Sequence, residues 1–568
     1  MTLPAEVCQR AVDARDPRFD GVFFVGVTTT RIYCRPICPS RRADPARRRF
    51  FPSAAAAERE RFRPCLRCRP ELAPGRALVD AVSRLAWAAA DRIAAGALSG
   101  RSVASLASDL FVSERHLRRA LKRALGVSPV ELAQTHRLLL AKRLLADTQL
   151  AMSDVAFASG FQSLRRFNAV ILERYGMSPS ALRRAAGSGS ERRAAQGMNG
   201  GAAGANGPGA VTNGRDQATD RRGGPGDRGA VGDRGTAGDR GAVGDRGAVR
   251  NDASAHRRDV AMNHGGSARH PHLPTAESLR LTLAYRPPLA WRDLLRFLRR
   301  GAMPGVERIG RRSYARTVRL PGGAGCVRVQ DAPARAHVQV QISPSLLPAL
   351  MPLLARLRRL FDLDAEPSVV DAHLEAGGLA LHVRACPGLR VPGAFDGFEV
   401  VTMALLLGSS PARGAAHEAA RLVVRALGDP LGADDPSLDR LAPTAERVAD
   451  AGAPVLEGLG VPAPRARALE AVARAVADGS LRLEPGGDVV ASRRTLVETC
   501  GLGERLATSV VMRGLCWPDA FPTSDPALQR AAGASGAAAL RALAERWRPW
   551  RSYAALHLRY HSPSVARR

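Results

Sequence analysis

Between residues 101 and 184 the apolar positions fall into one pattern twice, about fifty residues apart. In the first copy Val103, Leu106, Ala107 and Leu110 recur at helical spacing behind Ser102, which predicts a short capped helix. A turn through Phe111 and Val112 leads to Ser113, which caps a second helix with Leu117 and Leu121 inward. Glu114, Arg115, Arg118 and Arg119 then face outward. In the second copy Ser153 caps a helix carrying Val155, Ala156 and Ala158, and Gly160 ends it. Ser163 caps the next helix, buried through Leu164, Phe167 and Ile171, with Arg165, Arg166 and Asn168 exposed. The intervening VELAQTHRLLLAKRLLADT reads as one long amphipathic helix that holds two helix-turn-helix units at fixed spacing. Two such recognition helices can enter successive major grooves about 34 Å apart. The pattern by itself also fits a helical bundle whose arginines only solvate its faces.

Other stretches have other periods. LRLTLAYRPPLAW, RRSYARTVRL and HVQVQISPSLL, between residues 277 and 365, alternate as strands do and predict a small sheet carrying helices. From RRLFDLDAEPSVVDAHL onward the spacing is helical. Residues 187 to 273 are rich in Gly, Arg and Asp, with GDRGAV-type hexamers starting at Gly226, Gly232, Gly238 and Gly244. A repeat without large apolar side chains buries no core, so this is a flexible linker dividing two functional halves. Its alternating Asp and Arg leave it nearly neutral, which argues against a DNA-binding tail.

Composition sharpens this picture. A chain of 568 residues has room for three or more domains. Its 84 basic and 53 acidic residues give a net charge of +31 and point to a polyanionic partner, most simply nucleic acid. Lysine occurs only at Lys122 and Lys142, and the skew to arginine reflects GC-rich coding as much as function. Nine cysteines, four of them in one cluster, do not form a disulfide framework. No N-terminal signal segment is evident, and the apolar stretch Leu346 to Leu360 is too short and too charged to span a membrane. The expectation is a soluble, cytoplasmic protein.

The clustered cysteines carry the first chemistry. Cys34 and Cys38 form one pair and Cys65 and Cys68 a second, the arrangement that holds a tetrahedral Zn²⁺ from two sides. A disulfide pair or four unrelated buried thiols are the alternatives, and short paired spacing favours metal. The flanking TTRIYCRP and FRPCLRCRP resemble the methylphosphotriester-accepting domain of the Ada family. That resemblance implies that Cys34 is both a zinc ligand and the methyl acceptor, and that Thr30, Arg41 and Arg63 contact phosphate. Pro39 stands where the family has an arginine. Four thiolates on Zn²⁺ carry a formal charge of minus two, so methylating one sulfur would lessen repulsion of the DNA backbone. A purely structural zinc knuckle remains the plainer reading.

AMSDVAFASGFQSLRRFNAVILERYGMSP resembles the second repeat of AraC-type regulators, and a zinc module followed by that domain is the order of the Ada regulator. The resemblance implies promoter DNA and RNA polymerase as partners. No PCHR-type active site is present, so O6-alkylguanine transfer is not expected. From Glu277 to Tyr560 the chain resembles the AlkA-type 3-methyladenine DNA glycosylase II family, through PGLRVPGAFDGFEVVTMALLLG, LGVPAPRARALEAVARAVADGSL and ERWRPWRSYAALHLRY. In that family a helix-hairpin-helix precedes a catalytic aspartate. Here the hairpin is CGLGERLATSVVMRG, with amides at Gly501 and Gly503 to hold a DNA phosphate, and Asp525 in PDAFPTSDPALQR takes the catalytic position. Asp525 can equally cap a helix starting at Pro526. Departures from the family pattern are Arg505 and Ser509 at two aromatic positions, Arg559 at a tryptophan, Ser410 at the apolar wedge and Ser409 at a glutamine.

The expected architecture is multidomain: a small zinc-bound α/β module over 1–76 and an all-α double helix-turn-helix over 80–186. A disordered linker over 187–273 follows, then an α+β glycosylase subdomain over 274–367 and an all-α helix-hairpin-helix domain over 368–568. The expected function is a response to DNA alkylation: methyl transfer to Cys34, methylation-dependent transcription activation, and excision of alkylated purines through Asp525. Competing readings are a zinc-dependent regulator whose second half only binds DNA, and a repair enzyme whose helix-turn-helix units merely localise it.

Overall fold

The computed structural model describes residues 3–74, 84–185, 278–408, 413–432 and 435–560. The 187–273 linker and the Ser409–Ser410 positions lie outside the described residues.

The first helix, α1 (Ala5–Ala14), buries Cys8, Ala11 and Val12 against Phe23 and Val25. A four-stranded sheet follows, formed by β1 (Phe24–Val27), β2 (Ile32–Cys34), β3 (Arg48–Phe51) and β4 (Arg63–Pro64), in the order β3-β1-β2-β4. β2 and β4 run parallel, with Ile32 opposite Arg63 and Tyr33 opposite Pro64. That register decides the site, because Cys34 follows Tyr33 and Cys65 follows Pro64. Between β3 and β4, α2 (Ala54–Arg59) is capped by Ser53, whose hydroxyl accepts from the Ala56 amide at 3.1 Å.

Six helices come next: α3 (Arg84–Ala94), α4 (Val103–Asp109), α5 (Glu114–Leu125), α6 (Pro129–Asp147), α7 (Met152–Ala158) and α8 (Leu164–Tyr175). Ser102, Ser113 and Ser163 cap α4, α5 and α8 as expected. Ser128 and Glu131 form a reciprocal capping box on α6, at 2.7 and 3.3 Å. Three expectations are corrected. α7 begins after Ala151 and has no side-chain cap, so Ser153 lies inside its first turn. Leu164 is 39% exposed, and Val170 fills the core beside Phe167 and Ile171 instead. And α6 is not a one-sided amphipathic helix: Ala141, Lys142, Arg143, Leu144 and Leu145 are buried consecutively, which requires neighbours on every side.

Those neighbours come from both halves. Leu132 and Ala133 of α6 join a core with Phe24, Tyr33, Phe51 and Phe62 of the zinc module and with α3, α4 and α5. Further along, Leu138, Ala141, Leu144 and Leu145 join a second core containing α7, α8 and a five-stranded antiparallel sheet. That sheet consists of β5 (Leu279–Ala284), β6 (Glu307–Ile309), β7 (Ser313–Leu320), β8 (Gly323–Ala332) and β9 (His337–Ile342), in the order β5-β9-β8-β7-β6. It is covered by α9 (Trp291–Arg299) and α10 (Leu350–Leu360), which bury Trp291, Leu294, Leu298, Leu353 and Leu357. Polar ties run beside this core. The Arg143 guanidinium donates to the carbonyl of Thr282, Arg286 Nε to that of Asp20 at 3.1 Å, and Arg359 pairs with Asp91 at 3.2 Å.

The rest is helical: α11 (Pro367–Leu374), α12 (Ala380–Ala385), α13 (Gly397–Leu407), α14 (Arg413–Leu427), α15 (Ala445–Gly458), α16 (Ala463–Ala477), α17 (Val489–Arg494), α18 (Glu504–Gly514), α19 (Pro526–Ala531), α20 (Ala537–Ala544) and α21 (Arg551–Tyr560). α13 to α18 enclose one core, and α11, α12, α19, α20 and α21 a second.

Leu144, at 0% exposure, tests the role of α6. Leu144→Ala should destabilise the protein by about 2–5 kcal/mol in urea unfolding. Leu172→Ala, at a position 56% exposed on α8, should stay within about 0.5 kcal/mol of the parent.

Candidate functional site

The parallel β2–β4 register sets Cys34 beside Cys65, and the Cys65 amide donates to the Tyr33 carbonyl at 3.0 Å. A tight turn brings Cys38 back, with its amide on the Arg35 carbonyl at 3.1 Å. Local amides also point at sulfur: Arg67 N lies 3.3 Å from Cys65 Sγ and Arg35 N 3.4 Å from Cys68 Sγ. All four Sγ atoms of Cys34, Cys38, Cys65 and Cys68 lie within 4.8 Å of one another. Tetrahedral Zn²⁺ with Zn–S near 2.3 Å places sulfurs about 3.8 Å apart, so the set fits the ion. Sulfurs packed so closely ionise together only around a cation. The centre is a zinc site, and its sulfurs are unequal: Cys65 and Cys68 are 8% and 7% exposed, whereas Cys34 and Cys38 are half-buried on the solvent side.

Thr30, Arg41 and Arg63 are exposed on this same module, as is Pro39. The inner side of the centre is held by residues that spacing did not reveal. The Arg35 guanidinium donates to the Asp20 carboxylate and, at 3.3 Å, to the Cys68 carbonyl. Lys142 of α6, 2% exposed, donates to the Cys65 carbonyl at 3.1 Å and to Glu71 at 2.5 Å. Burial alone would push the Glu71 carboxyl up, but Lys142 and Arg69 together hold it below its usual value. Glu58 accepts from Tyr33 at 2.9 Å and from Thr135 of α6 at 2.8 Å, and burial pushes its carboxyl up. The one available hint is that Lys142 is one of only two lysines in a chain that uses arginine almost everywhere else, and that it stands inside an apolar helix.

Arg115 and Arg118 on α5, and Arg165 and Arg166 on α8, are exposed. Arg118 Nε is engaged with Glu114 Oε1 at 2.8 Å, a helix-surface pair one turn apart. The C-terminal end of α5 rests on the zinc module, where the Arg59 guanidinium donates to the Gly126 carbonyl and Ser53 Oγ to that of Leu125 at 3.3 Å.

In the second half, α17 continues through a wide turn at Thr495–Thr499 into the hairpin and then α18. Gly501 has φ +69°, a conformation that favours glycine, and nothing crowds it. Gly503 has φ −64° and sits at the N-terminus of α18 with an exposed backbone. Downstream, Asp525 is 4% exposed and caps α19, accepting from the Ala527 amide at 2.9 Å. Its other oxygen is ion-paired with Arg559 of α21. The loop before it is tied to α21. Asp519 takes Arg551 through both oxygens, at 2.6 and 3.0 Å, and Ser552 Oγ lies 2.9 and 2.8 Å from the carbonyls of Trp517 and Ala520. Arg505 and Ser509 lie on α18, with Ser509 Oγ donating to the Arg505 carbonyl at 2.9 Å. Among the described residues, no helix is long and apolar enough to cross a membrane.

Comparison with known proteins follows this division. Family profiles match the metal binding domain of Ada over residues 7–71, a helix-turn-helix domain over 106–185 and the AlkA N-terminal domain over 280–396. A probable bifunctional transcriptional activator/DNA repair enzyme AlkA of Mycobacterium tuberculosis is 33% identical over 562 residues, 97% of this chain and 95% of that protein. DNA-3-methyladenine glycosylase 2 of Escherichia coli is 35% identical over 279 residues, 49% of this chain and 96% of that one. The bifunctional transcriptional activator/DNA repair enzyme AdaA of Bacillus subtilis is 30% identical over 176 residues, 31% of this chain and 80% of its own.

Elemental analysis of the purified protein should find about one zinc per chain, and Cys65→Ser should lose it. The Lys142–Glu71 pair should also give stability an acid limb. A depressed carboxyl contributes fully above its unfolded value near 4.5 and loses that contribution as pH falls through the lower folded value. Lys142→Met should cost about 3–5 kcal/mol at pH 7 and flatten that limb, read from unfolding curves across pH 3–7.

Proposed function

The chain belongs to the family of bifunctional transcriptional activators and DNA repair enzymes, and from that membership we propose how its residues divide the work. The zinc module accepts methyl groups from methylated DNA phosphates, the paired helix-turn-helix units activate transcription, and the second half excises alkylated purines. Cys34 is the acceptor. The observation that carries this is the asymmetry of the sulfur centre, with Cys34 and Cys38 on its solvent side and Cys65 and Cys68 sealed beneath; of the two outer sulfurs, Cys34 is the one in the family's acceptor position.

Zn²⁺ held by the four cysteines keeps their sulfurs deprotonated and nucleophilic. Cys34 Sγ attacks the methyl carbon, the S–C bond forms, and the C–O bond breaks with its electron pair left on the phosphate, which becomes an ordinary diester anion. Thr30, Arg41 and Arg63 hold neighbouring phosphates. The thioether is neutral, so the centre repels the DNA backbone less and binding tightens. Lys142 and Thr135 place α6 directly behind the centre, so the module and both recognition helices approach DNA as one piece. Arg115, Arg118, Arg165 and Arg166 then face the major grooves. The DNA-bound protein recruits RNA polymerase and works in the cytoplasm.

In the second half the amides at Gly501 and Gly503 hold a backbone phosphate at the start of α18, and the damaged nucleotide swings out beside Asp525. The carboxylate stabilises positive charge on the sugar as the base departs, and directs water to C1′.

Two measurements test this. Digests of protein treated with methylphosphotriester DNA should carry one methyl group on Cys34, and Cys34→Ala should lose both that mark and the gain in promoter affinity. A methyl group found elsewhere sinks the sensor assignment. Release of 3-methyladenine and 7-methylguanine from methylated DNA should fall about 10²-fold or more in Asp525→Asn. Equal release by that variant removes Asp525 from the reaction.

A further inference from the structure

The turn between α16 and α17, residues 478–488, belongs to the second half of the chain but rests on the first helix-turn-helix unit. Leu481 and Leu483, 2% and 4% exposed, anchor it in the core of its own half. Gly486, with φ +89°, lies so close to α3 that a Cβ there would meet the Ala88 Cβ at 2.5 Å. The backbone of the turn is thus fixed from both sides. Between these anchors Arg482 is exposed. Its guanidinium carbon stands 4.9 Å from the centre of the Phe111 ring, and Nη1 donates to the Asp109 carbonyl at 3.2 Å.

Phe111 is an unusual residue for its place. Its φ is +55°, a strained backbone for a bulky side chain, and its ring is 72% exposed. What the ring offers is a flat face for Arg482. A guanidinium stacked on a ring keeps its in-plane N–H donors at the edges. One of them goes to the Asp109 carbonyl, and among the described residues that is the one hydrogen-bond partner of Arg482. The carboxylates nearby are answered by other cations: Asp109 pairs with Arg101 at 2.9 Å, and Glu484 lies 3.9 Å from Arg92. Arg482 is therefore an exposed cation, held in place, with donors to spare.

Where it is held gives the partner. Two residues after Phe111, Ser113 caps α5. A recognition helix enters the major groove by its N-terminal turn, and the walls of that groove, about 12 Å apart, are phosphate strands. A cation fixed beside the entry of α5 meets a wall of the groove and not its floor. It can hold a phosphate and reads no base. The paired N–H groups at the edge of a guanidinium match two phosphate oxygens.

We propose that Arg482 makes the second half of the chain part of the promoter-binding surface, by holding the DNA phosphate beside the groove that α5 enters. This rests on α5 being a recognition helix of a methylation-dependent activator. The test uses the full chain with Cys34 methylated, and as probe the duplex that this protein enriches from a random-sequence pool. Its Kd is measured as salt rises from about 50 to 200 mM. Arg482→Gln should weaken binding about three- to tenfold and lower the slope of log Kd against log salt by about 0.9, the value of one phosphate contact. Phe111→Asn, which suits the backbone and removes the ring, should show part of that loss. Arg308→Gln, which removes an exposed charge from β6, should leave the slope unchanged. Release of 3-methyladenine by Arg482→Gln at saturating protein should match the parent. An unchanged slope in Arg482→Gln overturns the proposal, and so does an equal fall in Arg308→Gln. Tighter binding by Arg482→Gln also overturns it, and makes the turn an obstacle to α5. Excision lost in step with binding places Arg482 with the hairpin at Gly501 instead. A parent that enriches no duplex removes the activator reading and this proposal with it, whereas a parent that enriches one and an Arg482→Gln that behaves like it leave that reading intact.

Discussion

The described structure depends on the burial of α6. A helix buried consecutively from Ala141 to Leu145 cannot leave a cation unanswered, and Lys142 and Arg143 both lie in that stretch. Each finds its partner in a different half of the chain. Lys142 reaches the zinc module at Glu71 and the Cys65 carbonyl, and Arg143 reaches the glycosylase sheet at the Thr282 carbonyl. Adjacent residues on a helix point about 100° apart, so two modules are held on two sides of one rod.

This arrangement gives the sulfur centre a rigid back and an open front. Behind it are Lys142, Arg35 and the buried Glu58 network, all with defined partners. In front are Cys34, Cys38 and exposed arginines. In the proposed function, a change of charge at the front is felt by DNA lying against it and costs no rearrangement behind. The acceptor is used once, since the thioether does not revert, so the centre records damage and does not process it repeatedly.

The excision site has the same logic with different parts. Asp525, the carboxylate proposed to act there, is nearly buried and is held by an amide and a guanidinium, and the loop that presents it is sewn to α21 by Asp519, Trp517 and Ala520. In the proposed excision no residue of the chain is consumed, so turnover is possible. One chain thus carries a consumable reader of backbone methylation and a recyclable remover of bases.

Much of this was legible in the sequence because it is local. Serine caps at Ser102, Ser113 and Ser163, the paired cysteines, the glycine hairpin and the alternating strands each depend on neighbours a few residues away, where spacing and propensity act. The same local reasoning failed at Ser153 and Leu164, where the true helix start and the buried face were set by packing against α6 and its surroundings. The sequence by itself determined the zinc ligands, the helix-turn-helix pattern and the aspartate after the hairpin. Only the tertiary structure decided that Lys142 backs the zinc centre, that α6 is buried by both halves, and that Arg559 answers Asp525. Those contacts join residues 71, 77 and 34 positions apart, and no periodicity reports a pairing that exists only once the chain has closed on itself.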